Sequence, residues 1–298
     1  MWTATLAVGA FIWGSAFAAQ KSGMNHIGPW TFLFVRFLIG GAALLPVIWL
    51  MSRFRLNETP AAPKNVSVFK AGFWCGVVLF AGAAAQQVGL AYTTAGKAGF
   101  ITALYVILVP ICGIFIGKNA GLRLCLCAVA AIAGMYMLCV NEELTFNKGD
   151  LFMLACAFSF TAHILLIDHY SPLVDAVKLS SIQFFLCGLL AGLPAYFIEI
   201  KDAGTMADLI NAAAGVKEAW FPLFYTGVMS SSVAYTIQVF AQKHIPPVIA
   251  SLVMSLESVF AALTGWLILG ETLTAREFTG CAVIFAAIIA AQLPERNN

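Results

Sequence analysis

The sequence has few charged residues: Asp, Glu, Lys and Arg make up 10% of its 298 residues, whereas 61% are hydrophobic. A soluble domain carries roughly a quarter charged residues, because charged side chains solvate its surface. This scarcity excludes a water-facing shell, and the mean hydropathy of +0.90 indicates that a lipid bilayer is the solvent. The formal net charge is only +2, so the basic field that attracts nucleic acid is lacking as well.

Several catalytic motifs are also missing. The chain has no GxxxxGK[ST] phosphate loop, neither GxSG nor GxGD of the intramembrane proteases, and no paired aspartate clusters for magnesium pyrophosphate. The eight cysteines all lie within apolar blocks, at Cys75, Cys112, Cys125, Cys127, Cys139, Cys156, Cys187 and Cys281. That placement favours buried free thiols over disulfides or a metal cluster. We therefore expect no cofactor and no metal, and a membrane-embedded enzyme is the weaker alternative.

Apolar runs long enough to cross a bilayer, which takes ~20 helical residues, alternate with short connectors. They predict ten transmembrane helices, near residues 2–19, 30–51, 71–91, 98–117, 124–140, 151–167, 179–198, 219–241, 248–269 and 278–293. The only long connectors are 52–70 and 199–218. Consecutive helices are therefore expected to be antiparallel neighbours in one all-α bundle.

Lysine and arginine are distributed unevenly between the two sets of loops. If the N-terminus is cytoplasmic, the inner loops hold Arg53, Arg55, Lys64, Lys70, Lys118, Arg123, Lys178, Lys243 and Arg296. The outer loops then hold Lys21, Lys97, Lys148, Lys201, Lys217 and Arg276. Because cytoplasmic loops carry the excess of positive charge, we expect an inner (plasma) membrane protein with both termini in the cytoplasm.

The chain also repeats itself, with a period of about 153 residues. Gly117 and Arg123 align with Gly270 and Arg276, and VILVPICGIFIGK aligns without a gap with VFAALTGWLILGE. Each repeat would contain five helices, an odd number, so the second half must insert upside down. Inverted repeats are typical of transporters, because two similar halves can rock about a site at the midplane. The pattern predicts five-helix repeats over 1–141 and 142–298 around a central cavity.

Three stretches resemble a known family. WGSAF at 13–17, ITALYVILVP at 101–110 and SLESVFAALTGWLILGE at 255–271 are similar to the EamA-type members of the drug/metabolite transporter superfamily. The resemblance spans the chain and implies two inverted five-helix repeats, with export or exchange of amino acids, related metabolites or drugs. The leading interpretation is a secondary transporter for an amino acid or a related polar or amphipathic compound, working by alternating access. A channel-like pore is a further alternative.

Two formal charges lie inside the predicted spans, Arg36 in the second and Glu257 in the ninth. A charge at bilayer depth costs at least ~2.5 kcal/mol, so each must face protein or a watery cavity. Ser251, Ser255 and Ser258 form a polar stripe beside Glu257 that favours a cavity over a purely structural glutamate. Arg36 could pair with an anionic substrate group, but snorkelling of its long side chain to the interface is the favoured interpretation.

Polar and aromatic side chains on other helices complete the predicted cavity wall. In hydrocarbon, a polar helix face must meet other polar groups or water. The predicted lining is Trp13, Phe17, Gln86, Gln87, Thr102, Tyr105, His163, Tyr235, Gln238, Ser255 and Glu257. Plain packing stays an alternative for His163 and for the aromatic pair on the first helix. The expected partners are a small-molecule substrate and the lipid bilayer; the sequence does not determine an oligomeric state.

Overall fold

The computed structural model describes residues 1–54, 66–93, 95–118, 121–139, 147–200, 213–269 and 274–293, without the side chains of 95–97, 139 and 265–269. All regular secondary structure in these ranges is helical. Eight helices in this part of the chain are long and apolar enough to cross a membrane. The protein is therefore an all-α, multi-pass membrane protein, as its composition predicted.

The first half of the chain forms six helical segments. They are α1 (Trp2–Gly23), α2 (Pro29–Arg53), α3 (Val68–Leu90), α4 (Ala95–Thr102), α5 (Tyr105–Phe115) and α6 (Leu122–Cys139). A turn at Ala103 and Leu104 separates α4 from α5, so the predicted span 98–117 corresponds to two helices in one apolar run. Helix α5 ends at Phe115, and two residues later the backbone of Gly117 is left-handed, with a φ of 77°.

The second half begins with α7 (Lys148–Tyr170) and α8 (Ala176–Pro194), and α8 continues as a π-helical turn over Ala195–Ile200. Next come α9 (Trp220–Phe224), a π-helical segment (Tyr225–Ala234) and α10 (Tyr235–Gln242). The last helices are α11 (Pro247–Met254), α12 (Leu256–Leu269) and α13 (Ala275–Gln292).

The predicted helix 219–241 is therefore not one regular helix. Its middle is π-helical, and there the Ser232 hydroxyl donates to the carbonyl of Gly227, five residues earlier, at 3.2 Å. The same hydroxyl donates to the carbonyl of Gly40 on α2 at 2.6 Å. Hydroxyl side chains of this kind satisfy backbone groups that a change of helical pitch leaves unpaired.

Four helices begin at residues whose side chains satisfy free N–H groups of the first turn. Asn147 opens α7 and Thr274 opens α13, each in a reciprocal capping box with an acidic residue three positions later. Ser67 accepts from the backbone of Phe69 at the start of α3, and Asp175 caps α8. These local signals explain why the structural boundaries lie within a few residues of the predicted ones.

Helix α2 is capped by a distant side chain instead. Its own N-cap residue makes no side-chain hydrogen bond, but Glu199 accepts from the backbone N–H groups of Trp30 at 2.8 Å and Thr31 at 2.7 Å. The Thr31 hydroxyl donates to the same carboxylate at 2.6 Å. A carboxylate at a helix N-terminus also interacts favourably with the helix dipole. The end of the run that contains α8 is thereby fixed to the start of α2.

The helices pack in a bundle in which partners lie far apart in the sequence. Helix α2 packs against α8, α6 against α13, and α3 against both α7 and α8. Helix α1 packs against α12 and the π-helical segment, while α4 and α5 pack against α7. Glycines permit the closest approaches: a Cβ on Gly134 would lie 2.7 Å from the carbonyl oxygen of Gly280.

The outside of the bundle is apolar, as contact with lipid requires. Large hydrophobic side chains such as Phe69, Trp74, Phe115, Leu126 and Phe278 are exposed on it. Five of the seven cysteines whose side chains are described are buried. They serve as small apolar side chains in the interior, which was the interpretation that the sequence favoured.

Candidate functional site

A cavity lies between the helices that meet at the middle of the bundle. It encloses no more than about 520 Å³ of empty space, including any part open to solvent. Its walls are formed by Trp13, Phe17, Gln20, Arg36, Gln86, Tyr105, Phe160, His163, Ile164, Ser230, Tyr235, Gln238, Met254 and Glu257. The two charged side chains, the amides and the aromatic rings therefore share one enclosure, which is the usual composition of a small-molecule site.

Glu257 and Tyr105 meet on one wall of the cavity. The Tyr105 hydroxyl donates to Glu257 Oε1 at 3.2 Å, and both side chains are buried. Each residue follows an interruption of its helix: Tyr105 begins α5, and Glu257 lies in the first turn of α12, just after the break at Ser255. The free N–H groups of a first helical turn favour an acidic side chain there. The broken helices thus turn both side chains toward the cavity.

Arg36 lies on another wall and is buried inside the bundle, with 4% of its surface exposed. Its Nη1 donates to Gln20 Oε1 at 3.2 Å, and the guanidinium carbon is 4.7 Å from the centroid of the Phe37 ring. The favoured interpretation, snorkelling to the interface, is therefore wrong. The side chain turns inward because α1 supplies a hydrogen-bond acceptor and α2 itself an aromatic face.

Tyr235 is the centre of an aromatic group in the cavity. It makes edge-to-face contacts with Trp13, His163 and Phe184 at centroid distances of 4.9, 5.9 and 5.8 Å. The indole N–H of Trp13 donates to the carbonyl of Ser230, which belongs to the π-helical segment, at 3.2 Å. This ring cluster holds α1, α7, α8 and α10 together and presents apolar and edge-polar surface to the cavity.

The remaining polar wall consists of hydrogen-bonded amides. His163 Nε2 lies 2.9 Å from Gln183 Oε1 on α8. Gln238 donates to Gln242 at 2.8 Å, and Gln242 donates to the carbonyl of Ile164 on α7 at 2.9 Å. Both the packing role and the cavity role considered for His163 are therefore present in the structure, since it bridges two helices and lines the cavity.

Three predicted lining residues lie elsewhere. Gln87 is buried but points away from the cavity, because successive helical residues are about 100° apart and its neighbour Gln86 faces it. Thr102 contacts the sulfur atoms of Met153 and Cys156 on α7. The Ser255 hydroxyl donates to the carbonyl of its own helix at Leu252, so it satisfies the backbone at the break between α11 and α12.

Five residues of the wall were not predicted: Gln20, Phe160, Ile164, Ser230 and Met254. Gln20 lies one turn beyond Phe17 on the face of α1 that Trp13 also occupies, so helical spacing would have identified it. Phe160 likewise lies three residues before His163. Ile164 and Met254 are apolar residues in apolar helices, and no local pattern distinguishes them.

The cavity wall combines charged, amide and aromatic side chains. In the part of the chain that the structure describes, no three His, Cys, Asp or Glu side chains are close enough to hold a metal ion. The walls instead combine one acidic and one basic side chain with amides and rings, inside helices whose outer faces are apolar. Such a site in a multi-pass helical bundle is typical of membrane transport proteins.

Comparison with known proteins identifies the family. The model of the EamA-like transporter family matches the chain twice, over residues 1–140 and 147–291, so the chain belongs to this family of the drug/metabolite transporter superfamily. The family and two of the relatives are named as transporters, not enzymes. The family resemblance of the sequence motifs is thereby confirmed.

Individual relatives cover nearly the whole chain. An uncharacterized transporter of Archaeoglobus fulgidus is 33% identical over 97% of this chain and 84% of its own length. A chloroplastic WAT1-related protein of Arabidopsis thaliana is 24% identical over 97% and 68%, and the uncharacterized transporter YoaV of Bacillus subtilis 21% over 93% and 91%. One crystal structure superposes with a TM-score of 0.75 over 96% of this chain and 95% of the other, at 15% identity, which shows the fold alone.

Proposed function

We propose that the protein is a secondary carrier that moves a small metabolite, an amino acid or a related polar or amphipathic compound, across the inner membrane by alternating access. The observation that carries this proposal is the hydrogen bond between Tyr105 and Glu257, 152 positions apart, in the central cavity.

The helix boundaries support two repeats of five crossings. Shifting α4 (Ala95–Thr102) by 152 positions reproduces α11 (Pro247–Met254), and shifting α6 by 153 reproduces α13. A short break at 103–104 separates α4 from α5, and a break at Ser255 separates α11 from α12. Residues 103 and 255 are equivalent under the shift of 152 positions. If each broken pair is one crossing, and α9 to α10 another, the chain crosses ten times. The two matches to the family model support the same division.

The packing supports an inverted relation between the halves. A two-fold axis in the membrane plane would exchange α1 with α7 and the α4–α5 pair with the α11–α12 pair. Helix α1 packs against α12, and the exchanged contact, α7 against α5, is also made. Helices α2 and α8, and α6 and α13, would be exchanged with each other, and each of these pairs is in contact.

The proposed two-fold axis would relate Tyr105 to Glu257, which contact each other in the cavity. Under the 152-residue shift these are equivalent positions, so their contact lies where the axis would cross the bundle. A site between two inverted halves can be exposed to either side in turn when the halves rock, which is the geometric requirement for a carrier. A pore would instead require a path that is open through the whole bundle. A membrane enzyme would require a side chain that reacts with the substrate.

Counterflow in proteoliposomes tests the proposal. Vesicles loaded with an excess of one unlabelled metabolite should take up the labelled compound transiently and saturably, and Glu257→Gln should lose this uptake. The matched control Glu218→Gln removes an acidic side chain that is exposed and pairs with His26 at 3.0 Å, and should retain it. Non-saturable flux would identify a pore, and failure of a broad metabolite panel to show counterflow would contradict the carrier.

We further propose that both termini are cytoplasmic. Arg53 ends α2, and Lys118 and Lys243 follow the ends of α5 and α10. If each helix or broken pair crosses once, all three lie on the side where α1 begins. Arg55, Lys64, Lys201 and Arg296, which the orientation argument also used, and Gly270 of the repeat lie outside the described residues. Reporter fusions after the last helix test the orientation: a cytoplasmic reporter should be active and a periplasmic one silent.

A further inference from the structure

Arg36 is a buried cation for which the described part of the chain offers no anionic partner. No Asp or Glu carboxylate in the described ranges lies within ion-pair distance of it, and within those ranges its hydrogen bond is the one from Nη1 to the neutral amide of Gln20. Its Nε has no partner among the described residues. A charge at this depth is costly unless it is compensated, and cavity-facing charges in membrane proteins mark ligand pathways. The missing compensation points to an anion that is bound only part of the time.

We infer that Arg36, held by Gln20, is the subsite that binds a single carboxylate group of the transported metabolite. The inference rests on the proposed carrier function and names the substrate chemistry of the same cavity. Gln20 engages Nη1, and Nε is buried without a hydrogen-bond partner among the described residues, so the guanidinium retains unused donor capacity. Two parallel N–H donors on one edge match the two oxygens of a carboxylate.

The charge balance of the cavity selects a carboxylate over a phosphate ester. Among the described residues of the wall, Arg36 is the one Lys or Arg side chain, and it supplies one positive charge. A phosphate monoester carries about two negative charges at neutral pH and is usually held by several cationic groups. The other charged side chain of the wall, Glu257, is acidic and cannot neutralise a second negative charge on the ligand. A monocarboxylate whose hydrogen-bond donors reach Glu257 and whose apolar part meets Trp13 therefore fits all the walls.

Matched ligands test the subsite directly. For leucine and for phenylalanine, three compounds differ only in the group at the carboxyl position. The free amino acid carries a carboxylate, the carboxamide is neutral there, and the aminophosphonic analogue carries a phosphonate. Each is used as competitor in counterflow and as stabiliser of the purified protein against heat. The wild type should prefer the free acid to the amide by roughly 10- to 100-fold, the range for a hydrogen-bonded charge. Arg36→Gln should reduce that ratio to within about 3-fold, because only the acid loses its partner.

Two further variants separate recognition from folding. Arg123→Gln makes the same substitution outside the cavity and should leave the acid-to-amide ratio unchanged. Arg36→Lys keeps the charge but loses the two-donor edge, so it should retain a reduced preference for the acid; it also serves if Arg36→Gln does not fold.

The result can contradict the subsite without contradicting the carrier. An unchanged acid-to-amide ratio in folded Arg36→Gln, a preference of the wild type for the phosphonic analogues, or counterflow restricted to compounds without a carboxylate would each overturn it. Absence of counterflow for every compound tested would instead overturn the carrier function on which it rests.

Discussion

Replacing Gly14 by alanine tests the contact that positions Glu257. Gly14 lies on α1, directly against the first turns of α12. A Cβ at this position would be 2.8 Å from the backbone nitrogen of Ala261 and 2.9 Å from the Cβ of Phe260, and closer still to the carbonyl oxygen of Glu257. Backbone atoms cannot rotate away, so α12 would have to move, and Glu257 with it.

The magnitude follows from two opposing effects. Overpacking a close interface typically costs 1–3 kcal/mol, here roughly estimated for a Cβ that lies more than half an ångström inside ordinary contact distance. Alanine also favours a helix over glycine by up to ~1 kcal/mol. Gly9→Ala on the same helix separates them, because its Cβ would meet nothing nearer than 3.6 Å. The propensity effect is common to both variants, so their difference measures the packing cost.

Thermal unfolding of the purified protein in detergent gives the measurement. We expect Gly9→Ala to unfold at or above the wild-type midpoint, and Gly14→Ala at a midpoint lower by a few degrees, on the order of 2–4 °C per kcal/mol. Counterflow should fall in Gly14→Ala and persist in Gly9→Ala. Equal midpoints and equal transport for the two variants would refute the claim that close approach of α1 to α12 positions the glutamate.

Three other predictions concern single contacts. Tyr105→Phe removes the donor to Glu257, a bond of about 1.5–3 kcal/mol when the acceptor is charged, and should raise the substrate concentration for half-maximal counterflow; an unchanged value would show that the bond has no role in binding. Lys118 pairs with Asp168 near the ends of α5 and α7. The effects of Lys118→Ala and Asp168→Ala on the free energy of unfolding should therefore be non-additive by at most ~1 kcal/mol in a double-mutant cycle, and strict additivity would contradict a direct pair. Glu199→Ala removes the cap of α2 and should cost about 1 kcal/mol of stability, whereas Glu199→Gln keeps an acceptor and should cost less; equal losses would argue against capping.

The helices were predictable because their signals are local. Apolar runs of bilayer length, the Asn147 and Thr274 caps and the proline at the start of α2 all act within one or two turns. The irregular regions were not predictable in this way. The π-helical segment is maintained partly by the hydrogen bond from Ser232 to Gly40 on another helix. A single-sequence pattern contains no information about that partner.

The residues of the candidate site likewise include some that the sequence predicted and some that it did not. Glu257, Tyr105, His163, Tyr235 and Gln238 were found because polar groups in apolar helices need a polar environment. Which side of its helix a residue faces depends on neighbours that the sequence does not name. The exclusion of Gln87 from the wall and the inclusion of Gln20 and the apolar residues were decided by those neighbours.

The sequence by itself determined the solvent, the helical class and the family, because a bilayer imposes length and hydropathy on every crossing segment and these are properties of consecutive residues. It also identified Arg36 and Glu257 as exceptional, since charge in an apolar run is visible without a structure. Only the tertiary structure decided which groups those charged side chains contact. Arg36 points inward rather than to the interface because Gln20, sixteen positions away on α1, accepts its hydrogen bond. Glu257 faces Tyr105 because two broken helices, 152 positions apart, meet at the centre of the bundle.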